Sequence, residues 1–287
     1  MQKVSLALND IWDVRRPYIN SAMAIILDGK KLSEEILDNL KKKIRLRSLS
    51  SGGQGGKRLK LAAVLVGKDK NSKIFLKQKE KACKFVGIDF QLYQFSENIS
   101  QENLAKAIKG LRYKLCHGII IQLPLPEHID TEKILSLIPA EKDVDVLSGK
   151  NPSASLGQEA GIVSPVLAGI LTLLKEYKIN LPGKKVAVVG RGRLVGKPVF
   201  EWLKKHRIEV IEDIKKADIV ISGVGKPGFI IKGEMIKNSA VVVDAAGDVD
   251  FKSVFPKAGY ITPIPGGVGP MTVAMLLKNF VILNKKN

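Results

Sequence analysis

The sequence predicts an α/β protein of two lobes, and three observations carry the prediction. Short apolar runs alternate with amphipathic helical patterns along most of the 287 residues, the order that builds parallel sheets flanked by helices. A strand, a glycine turn and a helix follow one another at Lys184–His206. A run rich in proline and glycine, Ile261–Thr272, then leads into a final apolar helix.

Bulk properties narrow the class. Hydrophobic residues make up 45% of the chain, enough for a substantial core. No apolar run reaches membrane-spanning length. Residues 1–22 lack the apolar centre of a signal peptide and mix acidic with basic residues, unlike a transit peptide. Cys83 and Cys116 have no metal-ligand spacing and fit a reducing compartment, so a cytoplasmic protein without a metal is expected. The net charge of +19 raises nucleic acid as a partner. The lysines are scattered over water-facing helical positions, however, with no RNA-binding aromatic signature and no zinc-finger spacing. A solvated basic surface that favours anionic small molecules is the expectation, with neither nucleic acid nor membrane as partner.

Met23–Leu27 reads as a short strand, and Ser33 as the cap of an amphipathic helix to about Leu46. Ser48–Gly56 is a Ser/Gly loop, and Leu61–Val66 an apolar strand. In the next helix, Ser72–Val86, a turn of 100° per residue puts Phe75, Leu76, Ala82, Cys83 and Val86 on one stripe. Lys73, Lys77, Lys81 and Lys84 face the other way, whereas Lys79 sits inside the stripe. An inward lysine is either a snorkelling stem or a paired amine drawn toward acid–base chemistry. After a strand at Phe90–Phe95 and a helix at Gln101–Tyr113, Gly118–Gln122 reads as a central parallel strand closed by a polar residue. Carboxyl ends of such strands are where α/β sheets place ligands. A helix at Thr131–Ile138 and an acidic stretch, Glu141–Asp145, lead to the passage between lobes at Pro139–Leu147.

The second lobe opens with a helix at about Leu167–Tyr177. The strand Lys184–Val189 then enters Gly190-Arg-Gly192-Arg-Leu-Val-Gly196. Glycines there let backbone meet a pyrophosphate at a helix N-terminus, which makes this a Rossmann-like dinucleotide turn with one extra residue. Strands follow at Ile208–Ile211 and Ala217–Val224, too close together for a helical crossover. Val241–Asp244 is a further strand, again with a pared-down connection after it. The lobe is therefore expected to be Rossmann-like with shortened connections. In Ile261–Thr272 the prolines and glycines make a rigid, side-chain-poor loop that brings backbone close to a flat ligand, or simply a surface loop. Thr272 is placed to cap the helix after it.

Taken together, Val66-Gly67…Ser72-x-x-Phe75-x-x-x-Lys79, Gln122-Leu-Pro-Leu-Pro126, Lys142-Asp-Val-Asp145, the Gly190 turn and Pro263-Ile-Pro-Gly-Gly-Val-Gly-Pro-Met-Thr272 resemble the methylenetetrahydrofolate dehydrogenase/cyclohydrolase family. The likeness runs from about Met23 to the C-terminus. It implies NADP-dependent oxidation of 5,10-methylenetetrahydrofolate, with NAD as a possible substitute, and hydrolysis of the product to 10-formyltetrahydrofolate. By resemblance Lys79 activates water and manages protons, Gln122 positions it, and Asp145 accepts hydrogen bonds from the pterin. Phe75, Leu123, Pro124, Pro265, Gly266, Gly267 and Pro270 line the folate pocket. Gly190, Arg191, Gly192, Arg193, Leu194, Val195, Gly196, Val224, Gly225 and Pro227 hold the dinucleotide. A homodimer is implied as well. The implied layout is an extension at 1–22, a catalytic lobe at 23–147 joined by the C-terminal helix 271–287, and a dinucleotide lobe at 148–270.

The chain departs from the family pattern at several points. Phe75 stands where relatives usually carry Tyr, Gly192 where many have Ser, and Val146 where Gly is common; a Thr-Pro element is reduced to Ser164-Pro165. Arg191 and Arg193 favour a 2′-phosphate, whereas Glu209 and Glu212, read as the end of the second strand, favour a free ribose hydroxyl. A cyclohydrolase alone, a folate-binding remnant, a basic nucleic-acid-binding protein and a different two-lobe dehydrogenase are the alternatives.

Overall fold

The computed structural model describes residues 23–50, 58–113, 116–150 and 162–285. The expected extension at 1–22 lies outside the described residues. In chain order the elements are β1 (Ile25–Ile26), α1 (Gly29–Ser50), β2 (Lys60–Val66), α2 (Lys70–Val86), β3 (Asp89–Phe95), α3 (Gln101–Tyr113), β4 (Gly118–Ile121) and α4 (Thr131–Leu135). They continue with α5 (Pro165–Glu176), β5 (Lys185–Val189), α6 (Gly196–Lys205), β6 (Glu209–Ile211), β7 (Ile219–Ser222), β8 (Val241–Asp244), α7 (Phe251–Val254), β9 (Tyr260–Ile261) and α8 (Val268–Leu283).

Two parallel sheets result. The first has the order β3-β2-β4, the second β1-β9-β8-β7-β5-β6. β4 is as fully buried as its apolar run requires. It is an outer strand of its sheet, however, and β2 holds the centre. Burial of β4 comes instead from α8 and from a bridge between Ile119 and Asp143 on its far side. Gly118 allows this close approach, because a Cβ there would stand 2.7 Å from the Phe280 ring and 2.9 Å from Val144.

β1 departs from the expected lobe boundary. Instead of joining the first lobe, it pairs with β9 at the edge of the second sheet, and Leu27 N donates to Ile261 O at 2.8 Å. Two residues are too few for their pattern to reveal which sheet they extend. The C-terminal helix does return to the first lobe. Val273, Leu276, Leu277, Phe280 and Leu283 of α8 enter the core with Leu61, Leu76 and Ala82, while Met271 and Met275 lie against α5 and β5. One helix thus fastens both cores, which explains its apolar character on all sides.

Capping differs in detail from expectation. α1 starts ahead of Ser33 and runs into the Ser/Gly tract, and the Asp28 carboxylate accepts from Lys31 N at 2.9 Å. Ser33 and Thr272 lie inside helices and donate back to Lys30 O and Val268 O, as hydroxyls in helix interiors do. α4 stops at Leu135. The connections of the second lobe are as short as the sequence predicts, with a single 3-10 turn at Ile214–Lys216 between β6 and β7.

Candidate active site

α2 delivers the first side chain of the site. Asp69 accepts from Ser72 N at 2.6 Å to start the helix, and this bond holds the Asp69 carboxyl below its usual range. Gly87, at φ 87°, ends it by donating to the carbonyls of Cys83 and Lys84. Between them Ser72, Leu76, Lys79, Ala82, Cys83 and Val86 are buried. Phe75, expected on that stripe, is 47% exposed instead. It lies at the border where the buried face meets solvent.

Lys79 is only 8% exposed, so it does not snorkel. Its Nζ donates to Gln122 Oε1 at 3.1 Å and lies 3.9 Å from Asp145 Oδ2. Gln122 follows the end of β4, and its backbone N–H still donates to Val64 O. Its Nε2 donates to Leu123 O at 2.9 Å, which turns Oε1 toward the lysine. Ser72 Oγ donates to the same carbonyl at 3.3 Å, tying the start of α2 to the Gln122–Pro126 loop. One turn beyond Lys79, the Cys83 thiol is pushed up to about 12 by burial and stays protonated at neutral pH.

Asp145 is brought to the lysine by a tight loop. The side chain of Asp143 is fully buried and accepts from Leu147 N at 3.2 Å and Ser148 N at 2.7 Å. That wrapping sets Val146 at φ 59°, a left-handed conformation rare for a β-branched residue. Asn279 of α8 donates to Val144 O at 3.1 Å and Val163 O at 2.9 Å, pinning the residue before Asp145. Burial raises the Asp145 carboxyl above its ordinary value, with Lys79 opposing and Asp143 adding to the rise. The result is an amine, an amide and a carboxylate on three different segments, converging in a largely buried place.

The loop before α8 is rigid for visible reasons. A Cβ on Gly267 would stand 2.6 Å from Pro263 O, and Gly266, at φ 115°, accepts from Lys30 N at 2.7 Å. Leu123–Pro124 and Ile264–Pro265 are cis. Pro265 is exposed, Gly266 and Pro270 are partly exposed, and Gly267 is buried. With its base held against the N-terminus of α1, the loop leaves Ile264 53% exposed at its tip.

In the second lobe the strand order places β6 on one side of β5 and β7 on the other. That reversal creates a crevice at the carboxyl ends of β5 and β7, the place where such sheets take ligands. The Gly190 turn fills one wall. A Cβ on Gly190 would lie 2.8 Å from Gly223 O, and one on Gly196 would strike Gly190 O. Gly192 has open space, with Gly223 O 3.8 Å away as the nearest atom. The tight turn, open top and N-terminus of α6 fit a dinucleotide pyrophosphate. Val224 N and Gly225 N both donate to the buried carboxylate of Asp248, at 2.7 and 2.8 Å, which fixes the backbone of that segment. Pro227 is exposed beyond it.

The two arginines have partners of their own. Arg191 lies over the Phe200 ring at 3.8 Å, and Arg193 pairs with Glu132 of α4 at 2.8 Å. The latter bridges the lobes above a cavity of about 330 Å³ lined by Leu123, Pro124, Leu125, Thr131, Arg193 and Leu194. Val195 closes the turn against Gly223. Glu209 is the first residue of β6 rather than the last, 4.0 Å from Lys185 at the amino end of the sheet. It therefore cannot face a ligand in the crevice. Only Glu212 is at the carboxyl end.

Sequence reasoning quotes Ser72 in a motif but gives no role to it, nor to Asn279, Asp244 and Asp248. The Asp244 carboxylate accepts from the backbone of Ala246, Gly247, Asp248 and Val249 and so shapes the short turn after β8. The aspartates bracketing Ala-Ala-Gly are the only signal of it in the sequence. Among the described residues no cluster of His, Cys, Asp or Glu could hold a metal, and no helix is long and apolar enough to cross a membrane.

Known proteins are similar to this chain. Residues 27–145 match the family model of the tetrahydrofolate dehydrogenase/cyclohydrolase catalytic domain, and residues 164–287 match that of its NAD(P)-binding domain. The bifunctional protein FolD of Nautilia profundicola is 41% identical over 280 residues, spanning 89% of this chain and 95% of its own. The crystal structure of the bifunctional methylenetetrahydrofolate dehydrogenase/cyclohydrolase FolD from Campylobacter jejuni is similar with a TM-score of 0.81 at 37% identity, covering 92% of this chain and 100% of that one. The Trypanosoma brucei enzyme, solved with NADP and an inhibitor, gives a TM-score of 0.82 at 32% identity, covering 92% and 98%. The chain belongs to the tetrahydrofolate dehydrogenase/cyclohydrolase family.

Proposed function

We propose that the chain oxidises 5,10-methylenetetrahydrofolate to 5,10-methenyltetrahydrofolate with NADP or NAD and hydrolyses the product to 10-formyltetrahydrofolate. The observation that carries this reading is the buried contact of Lys79 with Gln122 and Asp145. A dinucleotide held at the Gly190–Gly196 turn would supply the acceptor for the hydride that leaves the methylene carbon. In the hydrolytic half, water oxygen bonds to the amidinium carbon, one proton is released, and the other passes to the pteridine nitrogen as its bond to that carbon opens. Lys79 is the group that guides water and moves protons. Gln122 holds its Nζ in place, and Asp145 receives the pterin edge.

Phe75 supplies an exposed ring one helical turn from Lys79 for the aminobenzoyl group. It has no hydroxyl, so Gln122 is the side chain that orients the lysine here. Leu123, Pro124, Pro265, Gly266, Gly267 and Pro270 border the folate in this reading, and the Gly190–Gly196 turn with Val224, Gly225 and Pro227 holds the dinucleotide. The catalytic lobe is then 23–147 less β1, with the C-terminal helix shared between lobes. A cytoplasmic homodimer completes the proposal, supported by β3, an outer strand with Leu92 45% exposed.

The test is an assay of purified protein for methenyltetrahydrofolate formation from methylenetetrahydrofolate, and separately for methenyltetrahydrofolate hydrolysis. Both activities are expected, and light scattering should report a dimer. Hydrolysis without oxidation would leave a cyclohydrolase alone.

A further inference from the structure

The adenosine end of the second lobe is built differently from what two arginines beside a glycine turn imply. In a sheet of this topology the strand next to the glycine-turn strand ends beside the adenosine ribose, and an acidic residue about twenty positions beyond the turn reads its 2′-hydroxyl. Here that strand is β6, and the residue following it is Glu212. Glu212 is exposed and has neither a hydrogen bond nor an ion pair among the described residues. Its neighbour Asp213 is committed elsewhere, accepting from Lys215 N at 3.0 Å and pairing with Lys216 at 3.3 Å. Those bonds fold the one 3-10 turn that replaces a crossover helix, so no longer segment covers the strand end. The cations expected to greet a 2′-phosphate are drawn off, Arg193 to Glu132 and Arg191 to the Phe200 ring.

Resting on the dehydrogenase reading above, we infer that Glu212 is a specificity-determining residue: its carboxylate accepts from the adenosine ribose diol, so that NAD is a productive acceptor beside NADP. A carboxylate at this position gains a charge-assisted hydrogen bond from a free diol and repels a 2′-phosphate. It therefore offsets what advantage Arg191, lying over the Phe200 ring, retains for the phosphorylated dinucleotide.

The experiment is a calorimetric titration of the purified full chain with NAD and with NADP, repeated on Glu212→Ser, with initial-rate measurements for each dinucleotide alongside. The wild-type dissociation constants for the two should agree to within about tenfold. Glu212→Ser should weaken NAD and tighten NADP, moving their ratio by about tenfold or more, chiefly through KM in the rate data. Glu212 is exposed, so the variant keeps its fold, which a thermal melt verifies. Wild-type preference for NADP by about a hundredfold, or a ratio unmoved by the substitution, would overturn the inference and leave the dehydrogenase reading standing. Binding of neither dinucleotide would overturn both.

Discussion

Lys79 Nζ and Gln122 Oε1 are 3.1 Å apart, closer than Lys79 is to the Asp145 carboxylate at 3.9 Å. The amine is therefore held first by a neutral partner. Removing it takes away the proton-handling group of the hydrolytic step while leaving the pocket walls in place. Lys79→Met is expected to lower methenyltetrahydrofolate hydrolysis by about 10²–10⁴-fold, the usual worth of general acid–base catalysis, with folate affinity largely kept. Gln122→Leu leaves the amine present but unaimed, so a smaller loss in kcat is expected. Hydrolysis at the wild-type rate in Lys79→Met would remove the lysine from the mechanism.

The Asp145 carboxyl is raised from 3.8 by burial. A raised folded-state value means that the protein binds the proton more tightly than the unfolded chain does. The associated stability is full below the unfolded value near 3.8 and is lost as pH rises through the folded one. Asp145→Asn removes that loss. Its melting temperature should gain on the wild type between pH 3 and pH 7 by more at the neutral end, while folate KM rises because the pterin loses its acceptor. A melting difference that is the same at both pH values would contradict the assignment.

Lys79 and Gln122 are legible in the sequence because each violates a local pattern, a cation inside an apolar helical stripe and an amide closing an apolar strand. The Gly190 turn is legible because a strand and a helix flank it. Other features depend on partners remote in sequence. Nothing around Ile25–Ile26 says that they extend the second sheet rather than the first. Asn279 sits in a helix that is apolar on every face, so its role emerges only when Val144 O and Val163 O arrive beside it. The pairing of Arg193 with Glu132 exists only once the lobes meet. Glu209 opens the three-residue strand β6 and Glu212 follows it, so two glutamates close in sequence stand at opposite ends of one short strand.

Two glycines of the same turn should respond differently to a side chain. Gly196→Ala places a Cβ against Gly190 O, which can be relieved only by spreading the turn. Dinucleotide affinity should fall by at least about tenfold, with stability reduced by roughly 1–3 kcal/mol as for other overpacked sites. Gly192→Ser meets nothing closer than 3.8 Å. Its stability and its dinucleotide dissociation constants should stay close to the wild type, as titration and thermal unfolding would show.

Asn279 is 3% exposed and donates two hydrogen bonds from α8, one to the carbonyl just before Asp145. Asn279→Ala leaves Val144 O and Val163 O without that donor in a buried setting. An unsatisfied buried group of this kind costs about 1–3 kcal/mol, so the melting temperature should drop accordingly. The functional consequence follows from position. With Val144 released, the loop that presents Asp145 keeps the Asp143 bonds to Leu147 N and Ser148 N but loses its tie to α8. Folate KM should then rise while dinucleotide dissociation constants, set in the second lobe, remain near the wild type. Equal losses in both would mean that α8 acts on the whole molecule through its two cores rather than on the Asp145 loop.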